Sequence, residues 1–287
     1  MTQTPNKLEE ILTQPTEVRL TALADFGKAI LEANNGKIDP NTENLKEAIL
    51  AIIAAGIGES TERVVLGELL GLLGDPRLIG PENETYWCCI NEGELSLSVG
   101  RFPVSHNEFQ EFVDSGEYYN DVWWTEKGIA WRDSGVRTWS YLAKKVDSAL
   151  VVANQPVVGT TWFEAVAYAK YAGARLPTVQ ERLFVVRGEE KRVYPWGEPF
   201  GSNNANTSEE VVQRPCAIGL FRGDCTPDGV WDLAGNAGEW LADDVSGQHP
   251  LHPGSWKQTS MASWAKARQL ESPEYRADDL GFRLVKD

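Results

Sequence analysis

The chain has 287 residues, 42% of them of hydrophobic type, enough for one large domain and a smaller unit. Acidic residues outnumber basic ones 42 to 27 and leave a formal charge of -15, so counterion release from a phosphate backbone has no source and nucleic acid is not an expected partner. The N-terminus has no basic start followed by an apolar core, and nowhere do about 18 apolar residues run together, so neither a signal peptide nor a membrane span is expected.

Residues 7 to about 75 place apolar side chains at three- and four-residue steps. Leu8, Ile11 and Leu12 come first, then Val18, Leu20, Leu23, Phe26, Ile30 and Leu31. Leu45, Ile49, Ile52 and Ile53 follow, and then Val64, Leu66, Leu69, Leu70, Leu72 and Leu73. The pattern predicts several short helices packed through one apolar face. Asn34-Asn35-Gly36 breaks it, Ser60 is the expected cap of the last helix, and Gly74-Asp75-Pro76 stops that helix. Residues 1–78 thus read as a small all-α module whose final turns resemble the edge of a HEAT-type repeat, with no second copy at a fixed period.

The boundary falls near residues 76 to 85, and residues 86–287 read as a loop-rich α+β domain. Leu95, Leu97 and Val99 alternate as a strand. Asn107 to Ser115 has helical spacing, and Thr161 caps a helix running to Tyr171 and closed by Gly173. Cys88 and Cys89 are adjacent, while Cys216 and Cys225 stand apart. Neither pair has C-x-x-C spacing, which predicts reduced thiols in a cytoplasmic protein, with a Cys216 to Cys225 disulfide as the alternative.

Several ordered blocks carry a family resemblance. Arg101-Phe102-Pro103-Val104-Ser105 precedes Glu108-Phe109. Pro156-Val157 leads to Trp162, Ala165 and Tyr168, and Arg175-Leu176-Pro177-Thr178 leads to Glu181. Tyr194-Pro195-Trp196-Gly197 and Ala205-Asn206-Thr207 follow. The run from Gly229 to Trp240, then Gly254-Ser255-Trp256 and Gly281-Phe282-Arg283, complete the series. From Tyr86 to Asp287 this resembles the formylglycine-generating enzyme (sulfatase-modifying factor) family, which implies a C-type-lectin-type fold. Trp162, Trp196, Trp240 and Trp256 are expected in the core. For Trp123, Trp124, Trp131 and Trp139, core packing and ligand stacking are both open.

In catalytic members of that family, two cysteines follow the last tryptophan block, bind copper and oxidise a substrate cysteine. Their places here are held by Gln258 and Ser263, so the resemblance implies a member without thiolate ligands, and copper is not expected. Other relatives resemble sulfoxide synthases whose iron is held by three histidines. This chain has only His106, His249 and His252, so iron is not expected either. His249 and His252 either share a metal on a loop stiffened by Pro250 and Pro253 or face solvent. Asp243-Asp244 and Asp278-Asp279 read as solvated loop acids, and no nucleophile elbow, phosphate loop or H-E-x-x-H helix is present.

The resemblance also implies a structural calcium site, with Asp232 and Glu239 as side-chain ligands and Gly235 and Ala237 as carbonyl ligands. The alternative is a buried hydrogen-bonded network around Glu239. A second family calcium site would start at Asn206, but the segment to Pro215 is short for it. Between Gly254 and Arg283, the residues Gln258, Met261, Ser263, Trp264 and Tyr275 form the expected recognition surface for a protein partner, on a base fixed by the flanking blocks. The function read from the chain is therefore a non-catalytic binding domain, an adaptor in a bacterial assembly. The alternatives are a retroelement-diversified variable protein, which the same fold resembles, and a diverged metal-dependent oxidase.

Overall fold

The computed structural model describes residues 4–34, 40–92, 95–135, Trp139 and 151–287. Four helices open the chain: α1 (Thr4–Leu12), α2 (Thr16–Asn34), α3 (Pro40–Ala55) and α4 (Ser60–Leu73). The break expected at Asn35-Gly36 lies outside the described residues. Leu23, Leu45, Ile49, Leu66 and Leu70 are wholly buried, whereas Leu12, Val18 and Leu72 from the same apolar series face solvent. The cap of α4 is Glu59 rather than Ser60, since the Glu62 carboxylate accepts the Glu59 N–H at 2.9 Å. That frees the Ser60 hydroxyl to donate to Glu210 at 3.1 Å, far along the chain.

The helical module does not close its core alone. Cys216, Leu220 and Phe221 are buried in the same apolar cluster as the four helices. Close approach is possible because α4 presents glycines: a Cβ on Gly67 would meet Ala217 Cβ at 2.9 Å, and one on Gly71 would meet Val152 Cγ1 at 2.3 Å. Asn154 donates from Nδ2 to the Gly67 carbonyl at 2.9 Å and to Asp75 at 2.8 Å, satisfying a helix carbonyl from the other part of the chain. The segment from Asn206 to Pro215 lies along this seam, where Glu68 of α4 forms an ion pair with Arg214.

Beyond the module, β1 (Trp87–Glu92) and β2 (Leu95–Gly100) form an antiparallel hairpin to which β7 (Val285–Lys286) adds. A second sheet has the order β5 (Gln269–Glu271), β4 (His249–His252), β3 (Gly238–Trp240) and β6 (Leu280–Phe282), with β3 and β6 parallel. Among the described residues the longer helices here are α5 (His106–Asp114), α6 (Glu126–Asp133), α7 (Trp162–Tyr171) and α8 (Val179–Arg187). Ser105, Thr161 and Thr178 cap α5, α7 and α8, each paired with a glutamate three residues on. Phe109, Phe112, Tyr118, Tyr168 and Phe282 pack edge to face between helices and sheets, with Trp240 buried in the same cluster.

Trp124, Trp131 and Trp139 join this core, which decides their role as structural; Trp123 is half-buried and donates to Glu117 at 2.6 Å. Of the motif tryptophans only Trp240 is fully buried. Trp162, Trp196 and Trp256 keep an exposed edge. All four cysteines are free, so Cys216 and Cys225 form no disulfide. Among the described residues no helix is long and apolar enough to cross a membrane.

Candidate functional site

Glu239 in β3 sits between two arginines from different elements. Its Oε2 accepts from Arg182 Nε of α8 at 3.1 Å and its Oε1 from Arg283 Nε at 2.9 Å, with all three side chains buried. Arg283 also donates to the carbonyls of Gly100 at 2.7 Å and Trp231 at 2.6 Å, so one guanidinium ties the hairpin to the second sheet. Asp232, at a φ of 56°, accepts the Gly219 N–H at 2.7 Å. The neighbouring Asp224 accepts the N–H groups of Leu233, Ala234 and Gly235 at 2.9–3.0 Å. Burial pushes Asp232 up to about 6 and Asp224 up to about 7, against the pull of these donors.

These residues do not fit the calcium site that the sequence suggests. Both oxygens of Glu239 face guanidinium nitrogens, and a divalent cation there would stand between two positive charges. The Gly235 carbonyl accepts the Ala237 N–H at 2.8 Å instead of converging with Glu239 on a shared centre. The hydrogen-bonded alternative is the arrangement whose partners are observed. Asn206, where the second calcium site would begin, donates to the Arg214 carbonyl at 2.9 Å and to Asn236 Oδ1 at 3.2 Å.

His249 and His252 are neither on a loop nor solvent-facing. They lie three positions apart in β4, so alternation sends them to opposite faces, and they cannot share a metal. His249 stacks on Trp162 with ring centroids 3.6 Å apart, and its Nδ1 meets the Asp243 carbonyl at 2.8 Å. His252 Nε2 meets the Trp264 carbonyl at 3.0 Å and its Nδ1 accepts the Gly254 N–H at 3.2 Å, which fixes the neutral Nε2–H tautomer. Burial lowers the basicity of both, and most strongly that of His252. His106 is elsewhere, beside Trp139 at 5.3 Å. Among the described residues no group of three or more His, Cys, Asp or Glu side chains could hold a metal ion. The adjacent acids also have defined tasks: Asp243 accepts the Val179 N–H at 2.7 Å and Asp279 accepts the Ser255 hydroxyl at 2.6 Å.

The five residues of the expected recognition surface separate. Gln258 and Tyr275 share a small cleft of about 40 Å³ that also includes Gln269 and Asp279. Tyr275 stands edge-on to Trp240 at 6.4 Å. Met261 and Trp264 are 69% and 47% exposed and follow one turn of chain. Ser263, expected on this surface, is instead 1% exposed with its hydroxyl turned inward, and contributes no surface. Tyr194, Trp196 and Phe200 complete the Trp264 cluster. Trp264 Nε1 donates to Tyr194 Oη at 2.5 Å, Tyr194 stacks on Trp196 at 5.0 Å, and Phe200 meets both rings edge to face. Sequence spacing missed this partnership because 70 residues separate Tyr194 and Trp264; the Tyr194-Pro195-Trp196-Gly197 block was its only signal. The segment is held from below by the Ala265 N–H on the Val193 carbonyl at 2.9 Å and the Ser260 N–H on Glu209 at 2.8 Å.

A family model described as the sulfatase-modifying factor enzyme 1-like domain matches residues 95–287. A hercynine oxygenase of Mycobacterium tuberculosis is 29% identical over 217 residues, covering 66% of this chain and 50% of that protein. An inactive C-alpha-formylglycine-generating enzyme 2 of Bos taurus is 26% identical over 238 residues, covering 66% of this chain and 76% of that protein. The crystal structure of CarF shares the fold at a TM-score of 0.50 and 17% identity, over 68% of this chain and 88% of that one. The chain spans about half the length of the hercynine oxygenases it matches. Its mixed helix and sheet architecture is the formylglycine-generating-enzyme-like α+β fold, and with the model matched over residues 95–287 the chain belongs to the family of sulfatase-modifying factor enzyme 1-like domains.

Proposed function

We propose that the chain is a non-catalytic, protein-binding member of this family, acting as a cytoplasmic adaptor in a bacterial assembly. The observation that carries the reading is the pair of large apolar side chains, Met261 and Trp264, held in solvent on a hydrogen-bonded base. Such side chains are enriched where binding energy concentrates, and a fixed ring loses little conformational entropy when a partner covers it. Two further features agree. The places of the family's reactive thiols are taken by an exposed amide, Gln258, and a buried hydroxyl, Ser263. A relative over the same share of the chain is itself named inactive.

The test is a pull-down from native lysate with the wild type and with Trp264→Ala and Met261→Ala. The reading predicts a defined partner whose recovery falls in both variants. Equal recovery in all three would remove the recognition surface from this segment.

A further inference from the structure

We propose that the cleft between the start of α8 and residues 265–268 binds a small molecule bearing a phosphate or carboxylate group. The cleft measures about 230 Å³ and contains Arg182, Lys266 and Arg268, with Val179, Leu183 and Leu241 as apolar wall; among the described residues lining it none is acidic. Three converging cations run against the composition of a chain of net charge -15.

The decisive group is Arg182. Its side chain is buried, with Nε on Glu239 at 3.1 Å and Nη2 on the Leu233 carbonyl at 2.5 Å, yet Nη1 is buried without an acceptor. A buried guanidinium donor without a partner is costly, and an oxyanion in the cleft that Arg182 lines would satisfy it once the side chain turns that nitrogen toward the opening. Glu239 cannot compensate Arg182 alone because it also serves Arg283. Asp224, the next acid in the field of Arg182, accepts the N–H groups of Leu233, Ala234 and Gly235. Lys266 and Arg268 are exposed at the rim and form no ion pair among the described residues. The end of α8 itself is not the attraction, since Asp243 already takes the Val179 N–H. His252 also lines the cleft, but both its ring nitrogens are engaged. The apolar wall leaves room for a modest organic body beside the anionic head.

The experiment is calorimetric titration of the full chain with inorganic phosphate and, separately, acetate, at constant ionic strength set with chloride. Saturable one-to-one binding of either anion, weakened about tenfold or more in the K266Q/R268Q variant, is the expected result. Phosphate alone would assign a phosphoryl ligand, acetate alone a carboxylate, and both the shared oxyanion. The changed residues are exposed, so the variant keeps its melting temperature. No saturation by either anion, or equal affinity in the double variant, overturns the proposal.

Discussion

The indole N–H of Trp264 reaches the hydroxyl of Tyr194 at 2.5 Å, fastening a half-exposed ring to a buried one. Tyr194→Phe removes that acceptor while keeping the ring stack on Trp196. We expect a stability loss of about 1 kcal/mol in urea unfolding and weaker partner recovery, because Trp264 is no longer held in place. Unchanged recovery would show that its orientation is unimportant for binding.

Glu239→Gln leaves Arg182 and Arg283 buried without a countercharge. Breaking a buried ion pair costs about 3–5 kcal/mol, to be read from the urea midpoint. Chelator should leave the wild-type melting temperature unchanged. A large drop on adding chelator would place a cation, rather than the guanidinium groups, on the carboxylate.

Gly71→Ala should destabilise the protein by about 1–3 kcal/mol through the contact with Val152, although alanine is the better helix former by about 1 kcal/mol. Every tryptophan lies beyond residue 86, so indole fluorescence reports on the C-terminal part alone. Loss of helix signal and loss of fluorescence signal should shift to the same lower midpoint. Two separate midpoints would mean that module and domain unfold independently.

His252 is buried neutral, and its folded basicity lies well below the ordinary value of 6.5. The unfolded chain therefore takes up a proton below about pH 6.5 that the folded chain refuses, and stability falls as pH drops through that value. Comparison with His252→Gln cancels the opposing contribution of the buried aspartates. The wild type should lose stability relative to the variant between pH 7 and pH 5, by up to about 1.4 kcal/mol per pH unit. A constant difference would mean that His252 takes up its proton as readily in the fold as in the unfolded chain.

The fold was largely legible in the sequence because the motif blocks mark positions where chain crossings are tight. Gly281, whose Cβ would meet the Val157 carbonyl oxygen at 2.1 Å, is one of these. Helix α7 was read with its cap, since Thr161 and Glu164 are local to each other. Helices α6 and α8 carry no repeating apolar face to read: α6 buries only Gly128 and Trp131, and the buried face of α8 includes the charged Arg182. The site was less legible. Residues identical in type to calcium ligands serve here as acceptors for arginines and backbone N–H groups, and only the approach of Arg182 and Arg283 distinguishes the two. Two histidines spaced as ligands proved to lie on opposite faces of β4, which a loop reading hides.

Incubating the purified protein with copper, reductant, oxygen and a cysteine-containing peptide, and weighing the peptide by mass spectrometry, tests the non-catalytic reading most directly. With Gln258 and Ser263 in place of the reactive thiols, the peptide should keep its cysteine intact. Conversion of that cysteine to an aldehyde would contradict it.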